Sequence, residues 1–468
     1  MTIMISNRPQ FIQKSRIQSL NDLDFHKGKY ILYWMQQSQR AEYNHALEYA
    51  VQTANHLKQP LLVAFGLTTD YPEANLRHYT LMLEGLRETQ ATLASRGIKM
   101  IVRTDKPDAV TLTLGNSASI IVCDRGYLRH QKAWRSRVAA EATCRVVQVE
   151  SDVIVPVQIV SEKAEYAART IRPKIHRQLD MYLVRFKHHK PSYPSIDLKV
   201  KGIPLKRTDS VLKALTIDRS VPPISNFLKG GTSVAKIRFR DFLQNRLSQY
   251  EQHHNQPQTD DISHMGPYLH FGQISPLYLA LRLKSVDAHL RSARDAYLEE
   301  LIVRRELAAN FVHYTSSYDT YECVPNWARQ SLADHRPDIR RYIYSREQLE
   351  AAKTHDPYWN AAMREMKFTG FMHNYMRMYW GKKILAWSET PEEAFQTTLA
   401  INNKYFVDGR DPNSYAGVGW IYGLHDRAWP ERPIFGKIRY MAASGLERKC
   451  NISAYVEKVE KRIAPTQK

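Results

Sequence analysis

The sequence predicts a chain in two parts: an α/β N-terminal half on a doubly wound, Rossmann-like parallel sheet of five strands, then an all-α C-terminal half. Over the first 150 residues, short runs rich in Val, Ile and Leu alternate with longer helical patterns. That is the signature of βαβ units whose strands are buried on both faces. After about residue 230 strand-like alternation almost vanishes and helical periodicity takes over. The chain has 468 residues, 43% hydrophobic and 10% aromatic. It is longer than the roughly 250–300 residues at which one core stops growing, so it should divide. Its apolar content excludes a wholly disordered chain.

The expected strands run over 30–35, 60–67, 98–103, 119–123 and 145–149, with helices over 40–57 and 75–95 between them. Ligands of such sheets favour the crevice at the carboxyl ends of the strands, but no glycine fingerprint marks a dinucleotide there. Residues 151–229 read as a connector lying over the surface. They carry basic pieces at 185–190 and 199–206 and prolines at 191, 194, 204, 222 and 223, which punctuate structure rather than build it. The C-terminal part, 230–468, opens after Gly230 and Gly231 with Thr232 or Ser233 as helix cap. Further helices are expected over 276–283, 292–314, 346–353, 357–366, 369–387 and 390–402.

Lys and Arg outnumber Asp and Glu by 67 to 47, a formal charge of +20. So large a surplus points to a polyanionic partner; charge kept for solubility is the alternative. No run of 18 apolar residues and no signal-peptide stretch appears. The four cysteines, Cys123, Cys144, Cys323 and Cys450, form no CxxC pair. These features imply a soluble monomer of a reducing compartment, cytoplasm in a prokaryote or nucleus in a eukaryote, with no membrane contact and no metal. Phosphate-loop, HExxH, GxSxG and Cys–His zinc patterns are missing. The glycines at 417, 419 and 423 follow no strand. His253, His254, His264 and His270 read as surface or hydrogen-bonded side chains.

Six of the eight tryptophans (327, 359, 380, 387, 420 and 429) fall within about a hundred residues. On the helix expected over 369–387, steps of four and three align His373, Arg377, Trp380, Ile384 and Trp387 on one stripe. An arginine on such a stripe needs an anionic partner. An aromatic core stripe with one interhelical salt bridge and a line of electron-hopping tryptophans both satisfy the pattern. The polar segment 402–413, with Asp408 and Asp411, supplies the anions that Arg377 lacks and turns carboxylates and amides inward between apolar helices.

The motifs YWMQQSQR (33–40), PYLHFGQISP (267–276), EELIVRREL (299–307), MHNYMRMYWGKK (372–383) and DGRDPN (408–413) carry a family resemblance. With them the chain resembles, over nearly its whole length, the class II cyclobutane pyrimidine dimer (CPD) photolyases. These are flavin-dependent DNA repair enzymes of the photolyase/cryptochrome family.

The resemblance implies an α/β domain over 1–150, an interdomain linker over 151–229 and a helical FAD- and DNA-binding catalytic domain over 230–468. It implies FAD, fully reduced when active, held by Tyr250, Ser263, Met265, Gly266, Asn374, Arg377, Asp408, Asn402 and Asn413. Arg377 and Asp408 would form the salt bridge beside the isoalloxazine ring, and Asn402, with Asn413 as rival, would face flavin N5. His264 stands where relatives often have Asn or Arg. Glu300 would hydrogen-bond the dimer while Met378 and Trp420 line its pocket. Val303 occupies the place where other photolyases carry a tryptophan. Met378 points to cyclobutane dimers, since (6-4) photolyases have histidine there. Trp380, Trp359, Trp387 and Tyr344 would form the photoreduction chain, and Arg439, Arg448 and Lys449 would grip DNA. The N-terminal part corresponds to the place where relatives hold an antenna chromophore, a deazaflavin or a folate. The implied function is light-dependent repair of CPDs in a flipped-out dimer, a carbon–carbon lyase reaction. The alternatives are a cryptochrome-like flavin photoreceptor without repair activity, or a basic nucleic-acid-binding protein whose aromatics are only core.

Overall fold

The computed structural model describes residues 12–464. Its sheet has six strands in the order β1-β6-β5-β2-β3-β4. These are β1 (Ile17–Ser19), β2 (Tyr30–Trp34), β3 (Leu61–Leu67), β4 (Lys99–Thr104), β5 (Ala118–Asp124) and β6 (Arg145–Val149). Every pairing is parallel except β1 with β6. Five of the strands coincide with the apolar runs of the sequence. The sixth, β1, is a correction to the five-strand expectation: its three residues, two of them polar, are too short for a periodicity to register. β2, β3 and β5 are buried along their whole length, as strands covered by helices on both faces must be.

Strand order reverses between β5 and β2, and the chain turns away from β2 there through 35–40. Asp124, at the end of β5, pins this turn. Its carboxylate accepts from the backbone N–H groups of Gln36, Gln37 and Ser38 at 3.1, 2.9 and 3.1 Å.

Residues 151–229 are more than a surface connector. They form short helices at Val157–Val160, Ala168–His176, Leu179–Tyr182 and Thr208–Ala214. Ile171, Ile175, Tyr182, Leu205 and Leu212 enter the same apolar core as Ile31 and Val63 of the sheet and Leu277 and Leu301 of the helical part. The reason is local: Ile171 and Ile175 stand four apart on one helical face, a stripe that the prolines and charges around it obscure. The basic pieces do lie outward, with Phe186 buried between exposed Arg185 and Lys187.

The C-terminal part is helical and holds a second core around Trp359, Trp380 and Trp387. The helices expected over 357–366 and 369–387 are both present, with the break between them moved to 370–373. Helix Pro357–Thr369 stops at Gly370, whose φ of 68° is left-handed, a conformation that ends helices and suits glycine. The next helix, Asn374–Trp387, starts with the His373 side chain accepting from Tyr375 N–H. The stretch expected as one helix over 292–314 is an α–π–α run: Arg291–Leu298, a π-helical Glu299–Arg304, and Arg305–Tyr314. The two halves are locked together by buried arginines. Arg40 pairs with Asp152 at 2.6 Å and donates to the Gly272 carbonyl at 3.0 Å, and Arg77 donates to the Tyr405 carbonyl at 2.8 Å. Among the described residues no helix is long and apolar enough to cross a membrane.

Candidate functional site

A cavity of about 820 Å³ opens within the helical part. Most of the residues singled out from the sequence line it, although they come from six separate stretches of chain. These are Tyr250, Ser263, Met265, Gly266, Glu300, Asn374, Arg377, Met378, Trp380, Asn402, Asp408, Asn413, Trp420 and Arg439.

Arg377 and Asp408 meet on its wall. Arg377 Nη2 donates to both carboxylate oxygens of Asp408, at 2.9 and 3.2 Å. The guanidinium also lies 3.8 Å from the centre of the Phe406 ring, and its Nε donates to the Met372 carbonyl. Asp408 sits in the tight turn between helices Pro391–Tyr405 and Pro412–Ile421, where Asp411 caps the second helix by accepting from Asn413 N–H. Gly266 leaves room for the carboxylate: a Cβ at that position would stand 2.6 Å from Asp408 Oδ2, so one of the two would have to shift.

Around the same wall, Tyr297 donates its hydroxyl hydrogen bond to Ser263 Oγ at 2.7 Å and packs edge-on against Tyr250. Burial raises the phenol pKa of both tyrosines, so each stays protonated. His264 takes a left-handed φ of 54° and binds Asp260 through Nε2 at 3.1 Å. Asn402 is buried, and its amide nitrogen donates to Asn403 Oδ1 and Ser414 Oγ at 2.9 and 2.6 Å. With both amide hydrogens committed, only its carbonyl oxygen is left to receive a donor. Asn413, the rival amide, is exposed and donates to Asp411 Oδ1 at 3.2 Å.

Glu300 lies in the π-helical turn. Such turns widen a helix locally and recur at functional sites. Its carboxyl opens onto the cavity, 53% exposed, with Arg304 Nε at 3.9 Å. The surrounding walls desolvate it and raise its pKa, Glu299 adding to the effect against the pull of Arg304 and His254. Val303, two residues on from Leu301, is fully buried in the core and presents nothing to the cavity.

Trp420 stands half-buried, with Lys382 Nζ 5.2 Å and the Arg439 guanidinium 5.4 Å from its ring centre. Arg439 is shared with Trp429, 5.0 Å away. Lys382 is wholly buried and donates to the Ile421 carbonyl; burial brings its pKa down to about 7. Neither Lys382 nor Trp429 was singled out as a site residue. Their signal is the stacking of cation on indole, which joins residues dozens of positions apart. Arg448 and Lys449 do not reach the cavity. They are exposed on the short helix Ala443–Lys449, with Lys449 Nζ 6.0 Å from the ring of Tyr375.

From the cavity wall an aromatic line runs outward. Trp380 stacks on Trp359 at 6.5 Å between ring centres and 12° between planes. Trp359 meets Trp387 edge-on at 5.6 Å, and Trp387 meets Tyr344 at 5.4 Å. The order is Trp380, Trp359, Trp387, Tyr344, buried at the first three positions and half-buried at the last. Two buried polar atoms beside the cavity, His373 Nε2 and Trp380 Nε1, have no protein partner. Such groups are costly unless something else satisfies them. No group of three or more His, Cys, Asp or Glu suited to a metal ion occurs among the described residues.

Comparison with known proteins bears on this geometry. The DNA photolyase family model matches residues 31–195. The chain is 48% identical to the deoxyribodipyrimidine photo-lyase of Methanothermobacter thermautotrophicus, covering 96% of this chain and 98% of that one. It is 38% identical to the enzyme of that name from Arabidopsis thaliana, over 100% and 96% of the two chains. A similar solved structure is the archaeal photolyase from Sulfolobus tokodaii with two FAD molecules, at TM-score 0.68 and 14% identity, covering 92% of this chain and 89% of that one.

Proposed function

The chain belongs to the DNA photolyase family, and from that premise we propose that it is a light-driven lyase that splits cyclobutane pyrimidine dimers in DNA. The observation that carries the proposal is the near-complete match at 48% identity to a deoxyribodipyrimidine photo-lyase, in a chain whose cavity gathers an ion pair, amides, a carboxyl and an indole face.

FAD fits the cavity. Its volume, about 820 Å³, lies within the ~300–1,000 Å³ usual for cofactor and ligand sites. Its wall also carries the unpartnered Trp380 Nε1 and His373 Nε2. Bound and reduced, FAD would supply on illumination the electron that breaks the two bonds joining the bases.

The protein's own residues bind, orient and bias charge. Tyr250, Ser263, Met265 and Gly266 would hold the phosphates and ribose, and Asn374 would touch the ring system. Arg377 would set a fixed positive charge beside the ring, kept in place by Asp408. The Asn402 carbonyl oxygen would accept from an N–H at flavin N5; Asn413 takes the outer position. Glu300, its carboxyl held toward the protonated form, would donate to a carbonyl of the dimer and stabilise added negative charge. Met378 would line the dimer pocket. Trp420 would give it a single stacking face, because Val303 is buried elsewhere. Trp380, Trp359, Trp387 and Tyr344 would carry electrons inward when the flavin must be reduced. Arg439, at the cavity mouth, and the exposed Arg448 and Lys449 would meet DNA phosphates, part of the basic surplus that captures DNA without regard to sequence. The catalytic work would thus lie in 230–468, with 1–150 as the α/β domain and 151–229 joining them, in a monomer of a soluble, reducing compartment.

The crevice at the carboxyl ends of β2 and β3 does not fit an antenna pigment as its residues stand. It encloses about 60 Å³ between Gln37, Phe65, Tyr71, Met82 and Phe271, well below the ~300 Å³ at which ligand pockets begin.

The test is direct. The reduced, FAD-loaded protein is illuminated with an oligonucleotide carrying one thymine dimer, and recovery of absorbance near 260 nm is followed. Repair in light and none in darkness is expected. Undiminished dimer with normal flavin photochemistry would instead favour a photoreceptor.

A further inference from the structure

The outer end of the aromatic line contains a group that the line alone does not require. Tyr344 Oη lies 2.8 Å from His355 Nδ1. The same oxygen accepts a hydrogen bond from the backbone N–H of His355 at 3.0 Å. A phenol carries one hydrogen. With the backbone N–H directed at the oxygen, the phenolic O–H is free to point at the imidazole. Nδ1 must then be the unprotonated acceptor, and the neutral ring carries its hydrogen on Nε2.

The imidazole is held in this pose. It lies on the ring of Tyr342 at 3.7 Å and 19° and meets Trp387 at 5.2 Å. The charged groups around it are Lys383 and Arg341, which disfavour its protonation, and Asp356, which favours it. Partial burial is the largest influence and lowers its pKa, outweighing Asp356 and leaving the ring neutral near pH 7. Its outer edge is exposed.

We propose that His355 is the proton acceptor that makes Tyr344 the terminal electron donor of the aromatic line. The proposal rests on the reading of Trp380, Trp359 and Trp387 as an electron path. When Trp387 is left as a cation radical, one electron passes to it from Tyr344 and the phenolic proton passes to His355 Nδ1. The products are neutral Trp387, a neutral tyrosyl radical and an imidazolium. Charge is conserved, since the positive charge leaves the indole and appears on the imidazole. Phenols hold their proton in neutral water, whereas a base within ~2.6–3.2 Å takes it as the electron leaves. The exposed imidazolium then yields the proton to solvent, which separates the charges and slows their return.

The FAD-loaded, oxidised protein is flashed with blue light, and the tryptophan and tyrosyl radicals are followed by transient absorption and electron paramagnetic resonance. Flavin content and melting temperature are measured on every variant. Parent protein is expected to pass its radical from tryptophan to Tyr344, more slowly in D2O and more slowly as pH falls and His355 becomes protonated. His355→Phe keeps the backbone N–H that places the phenol. It should still form the tryptophan radical but slow tyrosyl formation at least tenfold and lose the pH dependence. His355→Ala should regain the step when imidazole is added to the buffer. Unchanged tyrosyl kinetics and pH profile in His355→Phe would overturn the proposal. Absence of any tryptophan radical in the parent would instead overturn the electron path, and the proposal with it.

Discussion

Replacing Gly266 with alanine probes the ion pair at the cavity wall more sharply than deleting either partner. The added Cβ would stand 2.6 Å from Asp408 Oδ2, about 0.8 Å short of ordinary contact at 3.4 Å, and its other near neighbours belong to the same carboxylate side chain. Asp408 grips Arg377 through both oxygens, at 2.9 and 3.2 Å, so a retreat of that size breaks at least one bond. A hydrogen bond to a charged group contributes about 1.5–3 kcal/mol. Gly→Ala at an ordinary backbone conformation stabilises by about 0.4–1 kcal/mol through the unfolded chain. The net expectation for Gly266→Ala is a loss of about 1–2 kcal/mol from the helical part, read by urea unfolding with tryptophan fluorescence and accompanied by weaker FAD retention. In an Asp408→Ala background the Cβ meets no carboxylate, so the same substitution should stabilise by about 0.4–1 kcal/mol. The sign reverses. An undiminished cost in the double variant would show that the clash lies elsewhere and refute the role assigned to Gly266.

Three further expectations follow from the site and its surroundings. Glu300→Gln, which keeps an N–H donor, should repair better than Glu300→Ala. The latter should lose about 1.5–3 kcal/mol of stabilisation, or roughly 10–100-fold in repair per absorbed photon. Parent repair should fall as pH rises through the raised carboxyl pKa while Glu300→Gln stays flat; parallel pH profiles would discard the donor role. Trp380→Phe and Trp359→Phe should each block photoreduction of oxidised flavin yet spare repair by chemically reduced protein, and equal photoreduction rates would remove these residues from the path. Glu306, buried beneath the Ile154 and Val155 N–H groups, has its carboxyl pKa pushed up to about 8 by burial. The folded chain then holds a proton that the unfolded chain releases above ~4.3, so stability falls as pH rises from there to about 8. Glu306→Gln should flatten that decline in a urea titration across pH, and an unchanged slope would place the linkage on another group.

The sequence by itself determined the α/β half and the chemistry of the site. β2, β3 and β5 are readable because strands covered on both faces must be apolar throughout, and that constraint acts residue by residue. Arg377 announced its need for an anion, and segment 402–413 offered Asp408, because an unpaired inward charge is costly whatever the fold. The motifs carried the family. Other features were invisible for an equally local reason. Three polar-rich residues make β1 a strand only because β6 offers an edge. Gly370, where the chain turns, moves the start of the helix expected at 369 to Asn374. Ile171 and Ile175 pull a proline-studded segment into the core.

The tertiary structure decided which groups meet. It committed both amide hydrogens of Asn402 to Asn403 and Ser414. It buried Val303 away from the cavity, left Arg448 and Lys449 outside it, and set Arg439 between Trp420 and Trp429. It also placed His355 against Tyr344. Each of these depends on the direction of a side chain across a space between elements, and periodicity along a chain carries no information about that space.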